Sequence, residues 1–508
     1  MSENARTLYE QLAVERELYI SRAEECARLT IPFLFPKEGD NSATKFPTPF
    51  QAVGARGVNN LASKLLLALF PPNTPFYRMD IRKDIMEYLS QVPEDKQEIE
   101  QKLVQEEQTF QKHFEAQQYR VTLHEAIKQL VVAGNDLLFL PPKEGGMKMY
   151  KLNSYVVQRD FVGNLIQLVT LDKLAVKTIP PEVLVMAGID PSQRKDNEII
   201  EIYTHVTFDR AKDKYYSYQE IEGTKIKGYE QTGNIDTCPW IPLRLFKMDG
   251  ENYSRSYVEE YIGDLKTLEG LSQAIVEASA IAASIVYLVN PNGVTQISKL
   301  NRARNGGYVP GRPEDVVALQ LNKQSDMQIA KATADALESR LSYAFMLNSA
   351  VQRNAERVTA EEIRYVANEL EDTLGGIYSI LSQELQLPLV KVIMNKLQMM
   401  GEMADIPTEI AQPAITTGVE AIGRGHDLSK LSNFVSFVAQ VPEAAAVVKW
   451  EQVGKAYASA CDLDSTGIIK TQEEIQQEQQ QAQMMQMMQA GVPNATKGMM
   501  DAMNGGSE

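Results

Sequence analysis

DLDSTGIIKTQE (462–473) places Asp462, Asp464, Thr466, Gly467, Ile469 and Glu473 on calcium-loop positions, with glycine sixth and glutamate twelfth. Carboxylate and hydroxyl oxygens at that spacing wrap a hard cation. Lys470 inside the loop, the lack of a partner hand and a low-complexity exit argue against it. A helix–loop–helix turn with Asp and Thr caps explains the same residues, so we expect no metal. GLSQA (270–274) imitates a nucleophile elbow around Ser272, but that motif needs a sharp strand-to-helix turn and here it sits inside a helical stripe. His113, His124, His205 and His426 are too scattered for a metal cluster. No G-x-x-x-x-G-K-[ST] stretch is present, so there is no P-loop to cradle a nucleotide. The reading is a chain with no catalytic residues and no cofactor, not an enzyme.

The remaining chemistry is cationic. Between 290 and 319, Lys299, Arg302, Arg304 and Arg312 face only Glu314 and Asp315, a basic island in a chain of formal net charge -16. A second stretch, AVQRNAERVTAEEIRYV (350–366), puts Gln352, Arg353, Asn354, Glu356 and Arg357 in a short hinge between two helical patterns. Arg353 and Arg357 either meet phosphates or pair with Glu356, Glu361 or Glu362 and cap a helix. Static gripping of nucleic acid needs a basic surface, because phosphate neutralisation supplies most of that affinity. The acidic total excludes it.

These residues need elements to position them. Residues 3–30 read as a helix with Leu8, Leu12, Leu18 and Leu29 on its apolar side, and 31–49 as a loop. Val53, Val58, Leu61, Leu65 and Leu69 mark a helix that stops at Pro71–Pro72. Charged helical sequence fills 91–118. Thr122 with Glu125 makes a capping box for LHEAIKQLVVAGNDLLFL, read as helix. From 148 to 248, alternation of β-branched and aromatic residues with polar ones predicts antiparallel strands.

Helix returns at Ser256 and Glu259, a capping box followed by Val258, Ile262, Leu265, Leu268, Leu271 and Ile275. Beyond 278 the side chains are small, which suits either a buried helix or one packed among identical helices. Asp326 is read as the N-cap of the next helix, through Ile329, Leu337, Leu341, Phe345 and Leu347. Thr359 and Glu362 open a long pattern over Ile363, Val366, Leu370, Leu374, Ile377, Leu381 and Leu385, with kink points at Gly375, Gly376 and Pro388. The chain is thus α+β and mainly helical.

The 508 residues suffice for two to four domains or one elongated subunit, and 44% hydrophobic residues suffice for a core. Cys26, Cys238 and Cys461 predict no disulfide framework. The charged N-terminus is no signal peptide, and AIVEASAIAASIVYLV (274–289) is too short and polar to span a membrane. We expect a soluble protein made in the cytoplasm.

TPFQAVGARGVNNLASKLLLALFPP, YRVTLHEAIKQLVVAGNDLLFLP, SYVVQRD, YSRSYVEEYIGDLKTLEGL and FMLNSAVQRNAERVTAEEIRYVANELEDTLGGIYSILSQELQLPLV resemble, in order, the head-to-tail connector (portal) proteins of T-seven-like short-tailed bacteriophages. The likeness is strong from about residue 5 to 390 and weaker to about 475. It departs most at 81–118 and in the Gln/Met-rich tail.

The resemblance implies a homo-oligomeric ring of twelve copies with an axial DNA channel, at the portal vertex of a virion made in a bacterium. It implies an N-terminal wing over 1–250, a first stem helix over 251–290, a clip over 291–325 and a second stem helix over 326–347. A channel loop over 348–358, a long kinked wing helix over 359–400, a crown over 401–475 and a disordered tail over 476–508 follow. Gln352, Arg353, Asn354 and Arg357 then face passing DNA, and Lys299, Arg302, Arg304 and Arg312 dock partners.

The implied partners are double-stranded DNA in transit, the terminase large subunit, major capsid and scaffolding proteins, the tail adaptor and internal core proteins, with no membrane. The implied work is to nucleate procapsid assembly, dock the packaging motor, and conduct, retain and release DNA. The alternative is a tail adaptor or an internal core ring or scaffold protein.

Overall fold

Helix α1 (Ala5–Leu29) opens with Asn4, whose side chain accepts from the Arg6 amide at 3.1 Å. It buries Leu8, Tyr9, Ile20, Cys26 and Leu29, whereas Leu18 projects outward at 55% exposure. In the computed structural model, the described residues are 4–416 except 38, 41–42, 73–74, 83, 86–92, 143–144, 284–285, 320–323, 348–369, 371–373, 375 and 408–409, together with 435–436 and 453. Residues 1–418 form one compact unit and 419–508 a second.

Helix α2 (Val53–Leu69) buries all five residues of its predicted stripe. Strand β1 (Tyr77–Ile81) and α3 (Pro93–Ala116) lead to α4 (Tyr119–Ala133). Thr122 does not cap α4. The helix begins three residues earlier, after Gln118 in the left-handed region at φ 53. Nor does it run to 140. Gly134 ends it at φ +75, where an added Cβ would lie 2.4 Å from the Arg255 carbonyl oxygen, so only glycine fits.

Asn135–Phe139 is strand β2, the centre of a three-stranded antiparallel sheet between β3 (Lys148–Lys151) and β10 (Trp240–Arg244). A strand buried on both faces shows no alternation, and periodicity cannot tell it from a buried helix.

The region read as strands forms an antiparallel sheet in the order β4 (Tyr155–Arg159), β5 (Leu165–Ala175), β6 (Ile199–Asp209), β7 (Lys214–Ile221), β8 (Thr224–Lys225), with β9 (Gln231–Asn234) also paired to β7. The short helix α5 (Pro181–Met186) packs Val183 and Leu184 with Ile200, Ile202 and Ile221 in a small satellite core. On the same sheet Val156, Val169 and Tyr203 receive Ala5, Leu8 and Tyr9 of α1.

Asp136 on β2 is fully buried, and neither carboxylate oxygen has a hydrogen-bond partner. Burial holds its pKa well above the usual carboxylate range. The folded chain therefore keeps this proton after the unfolded chain has lost it near 3.8, and stability falls as pH rises beyond that value. Asp136→Asn preserves shape and removes the titration. Its melting temperature is expected to exceed the parent's at pH 8 and to approach it at pH 4, by thermal fluorescence. A gap of equal size at both pH values would count against Asp136.

Ser256 caps the one-turn helix α6 (Tyr257–Glu260), its hydroxyl accepting from the Glu259 amide at 3.1 Å, and α7 (Ile262–Ala283) follows after a break at Tyr261. Ser272 lies inside α7. Val286–Val289 leaves the expected helix and pairs as β11 with β12 (Val316–Leu319) in an antiparallel ribbon. The register sets Tyr287 opposite Ala318, Leu288 opposite Val317 and Val289 opposite Val316, and backbone pairing of these strand-prone segments replaces continuation of the helix.

Helix α9 (Gln324–Ala344) starts before Asp326, which falls in its first turn rather than at its cap. α7 and α9 pack together near their body ends through Leu265, Leu268, Ala334, Leu337 and Leu341. Farther out Val276, Ile281 and Ile329 are exposed.

Leu370, Leu374, Ile377, Leu381 and Leu385 of the long predicted pattern are all buried. Gly376 opens α10 (Gly376–Leu381), a π-helical turn spans Ser382–Gln386, and α11 (Leu387–Met400) carries Pro388 in its first turn. Proline has no N–H for the Glu384 carbonyl, and the Leu387 amide reaches back five residues to the Ser382 carbonyl. Strand β13 (Ala411–Ile415) returns to pair with β1.

Candidate functional site

The basic island is carried on the ribbon β11–β12. Asp315, at the foot of β12, accepts from the Thr295 amide at 3.1 Å and the Thr295 hydroxyl at 2.8 Å. The Thr295 hydroxyl in turn accepts from the Arg312 amide at 3.0 Å. The Thr295 hydroxyl, then the nearby backbone amides and the Arg312 charge, hold the Asp315 carboxyl below its ordinary range. The Asn290 amide donates to the Asp315 carbonyl at 2.9 Å, closing the loop base. Gly293 is required there, because a Cβ would lie 2.5 Å from the Asp315 carboxyl carbon.

Within this frame Lys299 sits on the one-turn helix α8 (Ile297–Leu300), Arg302 and Arg304 in the following turns, and Arg312 just before the 3-10 turn at Pro313–Asp315. All four are exposed, and among the described residues no carboxylate lies within ion-pair distance of them. Val294, Gln296, Lys299, Pro310, Gly311 and Arg312 line a shallow cleft of about 240 Å³. Tyr308, between Arg304 and Arg312 in the chain, is fully exposed. Its exposure and the apolar flanks at Tyr287, Leu288 and Val317 were not read from the sequence; fully apolar strands in a two-stranded ribbon are the signal for them.

Gln352, Arg353, Asn354, Arg357 and Gly375 lie outside the described residues, as do Asp462, Asp464, Thr466 and Glu473. Phe345 before the first of these segments and Leu370 after it are both fully buried.

His113, His124 and His205 stand on α3, α4 and β6, each with its own neighbour: Tyr119 at 3.3 Å, Ser63 at 3.4 Å and Tyr218 at 3.2 Å. Burial, then Lys225, pulls His205 down to about 4, so it is neutral at physiological pH. Cys26 and Cys238 are buried and unpaired, and burial pushes both thiols up to about 12. Among the described residues no helix is long and apolar enough to cross a membrane.

The fold and this site define an α+β protein that carries an exposed basic loop on a framework of paired helices and a β-ribbon. The family model of the bacteriophage head to tail connecting protein matches residues 2–469. The portal protein of Escherichia phage T7 is 48% identical over 98% of this chain and 94% of its own length, and that of Enterobacteria phage T3 is 48% identical over 93% and 89%. The chain belongs to this family, the portal (head-tail connector) proteins of T7-like phages. A solved chain from the neck of an empty GTA particle computed with C6 symmetry overlaps 75% of this chain and 86% of its own, at 12% identity and a TM-score of 0.35.

Proposed function

We propose that copies of this chain close into a dodecameric ring at one capsid vertex. There the ring nucleates procapsid assembly, docks the terminase large subunit, conducts double-stranded DNA inward, retains it and releases it through the tail. The observation that carries the reading is the family match over residues 2–469. The exposed outer parts of α7 and α9 support it. Val276 and Ile281 on α7 and Ile329 on α9 are exposed apolar side chains that neighbouring copies would cover.

Major capsid, scaffolding and internal core proteins are the remaining partners on this reading. In the same proposal α7 and α9 are the stem, the ribbon-borne loop is the clip, and residues 348–358 face the channel. Gly375, Gly376 and Pro388 kink the long wing helix, the π-helical turn beside Pro388 giving that kink a local cause.

Lys299, Arg302, Arg304 and Arg312 then meet the terminase first and the tail adaptor later. Exposed arginines and an exposed tyrosine in one loop are the residue types that anchor interfaces. Purified protein is expected to image as closed rings with an axial hole. Arg302→Glu with Arg304→Glu should leave rings intact and weaken adaptor docking at least tenfold at low salt, where charge acts at longest range. Particles without rotational symmetry would remove the ring reading. Unchanged adaptor affinity in the titration would remove the clip assignment alone.

A further inference from the structure

Of the four cations in the ribbon-borne loop, two line a recess and two do not. Lys299 and Arg312 share the cleft of about 240 Å³ with Val294, Gln296, Pro310 and Gly311, whereas Arg302 and Arg304 form no part of its wall. The cleft is therefore cationic on one part of its lining and apolar on another.

Its walls come from two stretches, 294–299 and 310–312, and Thr295 ties them together. The Thr295 amide and hydroxyl donate to the Asp315 carboxylate at 3.1 and 2.8 Å, and the same hydroxyl accepts from the Arg312 amide at 3.0 Å. Gly311 permits this approach, because a Cβ there would lie 2.5 Å from the Thr295 hydroxyl oxygen. The tie uses only the backbone of Arg312 and leaves its guanidinium out of the frame. Asp315 is already engaged by Thr295, and among the described residues no carboxylate lies within ion-pair distance of Lys299 or Arg312.

The recess is small. Sites for free small molecules run to about 300–1,000 Å³, so this one admits a single side chain and the backbone beside it. A guanidinium and an ammonium supply charge-assisted donors for a carboxylate, and Val294 and Pro310 supply cover for hydrocarbon next to it. A DNA duplex suits the recess less well. Its phosphates lie along a convex backbone and are met by basic surface spread along it, and a net charge of -16 opposes a long polyanion.

We propose that this cleft receives a glutamate or aspartate side chain from an acidic segment of a docking partner protein. Lys299 and Arg312 hold the carboxylate, and Val294 and Pro310 cover an apolar neighbour in the same segment. The proposal rests on reading this loop as the clip. It divides the labour of the basic island: Arg302 and Arg304 speed the partner's approach through their field, and Lys299 and Arg312 slow its departure.

The probe is a fluorescein-labelled peptide capped at both ends, Gly-Leu-Glu-Tyr-Glu-Gly, with glutamine in place of both glutamates as its control. It is titrated into the purified full-length chain by fluorescence anisotropy at low salt. All four substituted residues are exposed, so the fold is expected to stand. The parent should bind the glutamate peptide about tenfold tighter than the control. Lys299→Gln with Arg312→Gln should abolish that preference, and Arg302→Gln with Arg304→Gln should leave most of it. In tail-adaptor binding the first pair is expected to raise the dissociation rate about tenfold with association near the parent's, and the second pair to slow association alone.

No preference for glutamate in the parent overturns the proposal, as does equal loss of it in the two double variants, which a general basic surface explains. A short DNA duplex that binds the parent tighter than the peptide does, and loses that binding in Lys299→Gln with Arg312→Gln, also overturns it and makes the cleft a phosphate site. Adaptor association slowed alike by both pairs, with dissociation unchanged, removes the cleft and keeps the clip reading. Adaptor binding unchanged in every variant removes the clip reading itself, and the partner role of the cleft falls with it.

Discussion

Replacing Glu384 with alanine is expected to destabilise the subunit by roughly 3–5 kcal/mol, the range for removing one partner of a buried ion pair. Glu384, in the π-helical turn, accepts from the Arg244 guanidinium at 2.8 Å, and Arg244 is 2% exposed at the end of β10. Its Nε and Nη1 have no hydrogen-bond partner. Arg159 is close enough to add a second positive charge. Burial first, then the Arg244 charge, lowers the Arg159 guanidinium to about 10, with Glu384 opposing both.

One carboxylate therefore serves two guanidiniums in a poorly solvated place, and alanine leaves both uncompensated. Urea denaturation of the parent and the variant checks this. Arg244→Met with Glu384→Ala should recover part of the loss, because it removes the orphaned charge as well. A midpoint for Glu384→Ala within experimental error of the parent would show that solvent, not Glu384, carries the Arg244 charge.

Changing Arg353 and Arg357 together to alanine is expected to leave capsid assembly and motor docking near normal, while packaged DNA escapes before the tail is complete. The effect is electrostatic. If these residues line the channel of a ring, every copy loses two positive charges from the zone nearest the duplex. An acidic chain offers little else to hold stationary phosphates. The defect should be largest at low ionic strength, where screening is weakest. DNA content of mutant and parent heads followed over time after packaging is the measurement. Equal retention of full-length genomes would make the segment a structural turn.

Much of this molecule is legible in its sequence. Local periodicity located α1 and α2, because one face of each is covered and the other is not. It also located the stripe from Leu370 to Leu385, every described member of which is buried. Alternation marked the β4–β9 region, whose sheet has distinct faces. The basic island could be found by counting charges, and ordered runs of residues pointed to the portal family, to which the chain belongs.

Tertiary structure decided the rest. Asn135–Phe139 is a strand because two other strands bond to it, and its own residues would serve a buried helix equally well. Val286–Val289 leaves the helical pattern because Val316–Leu319 lies alongside. The start of α4 at Tyr119 overrode a capping box, and the left-handed turn at Gly134 was imposed by the Arg255 backbone. Pairing of β1 with β13, the Arg244–Glu384 contact and the bonds from Asn60 and Lys64 to the Phe345 and Met346 carbonyls just after α9 join residues far apart in the chain. Composition and spacing report what a segment can bury by itself. Which distant carbonyl or carboxylate it will meet is determined only when the whole core closes.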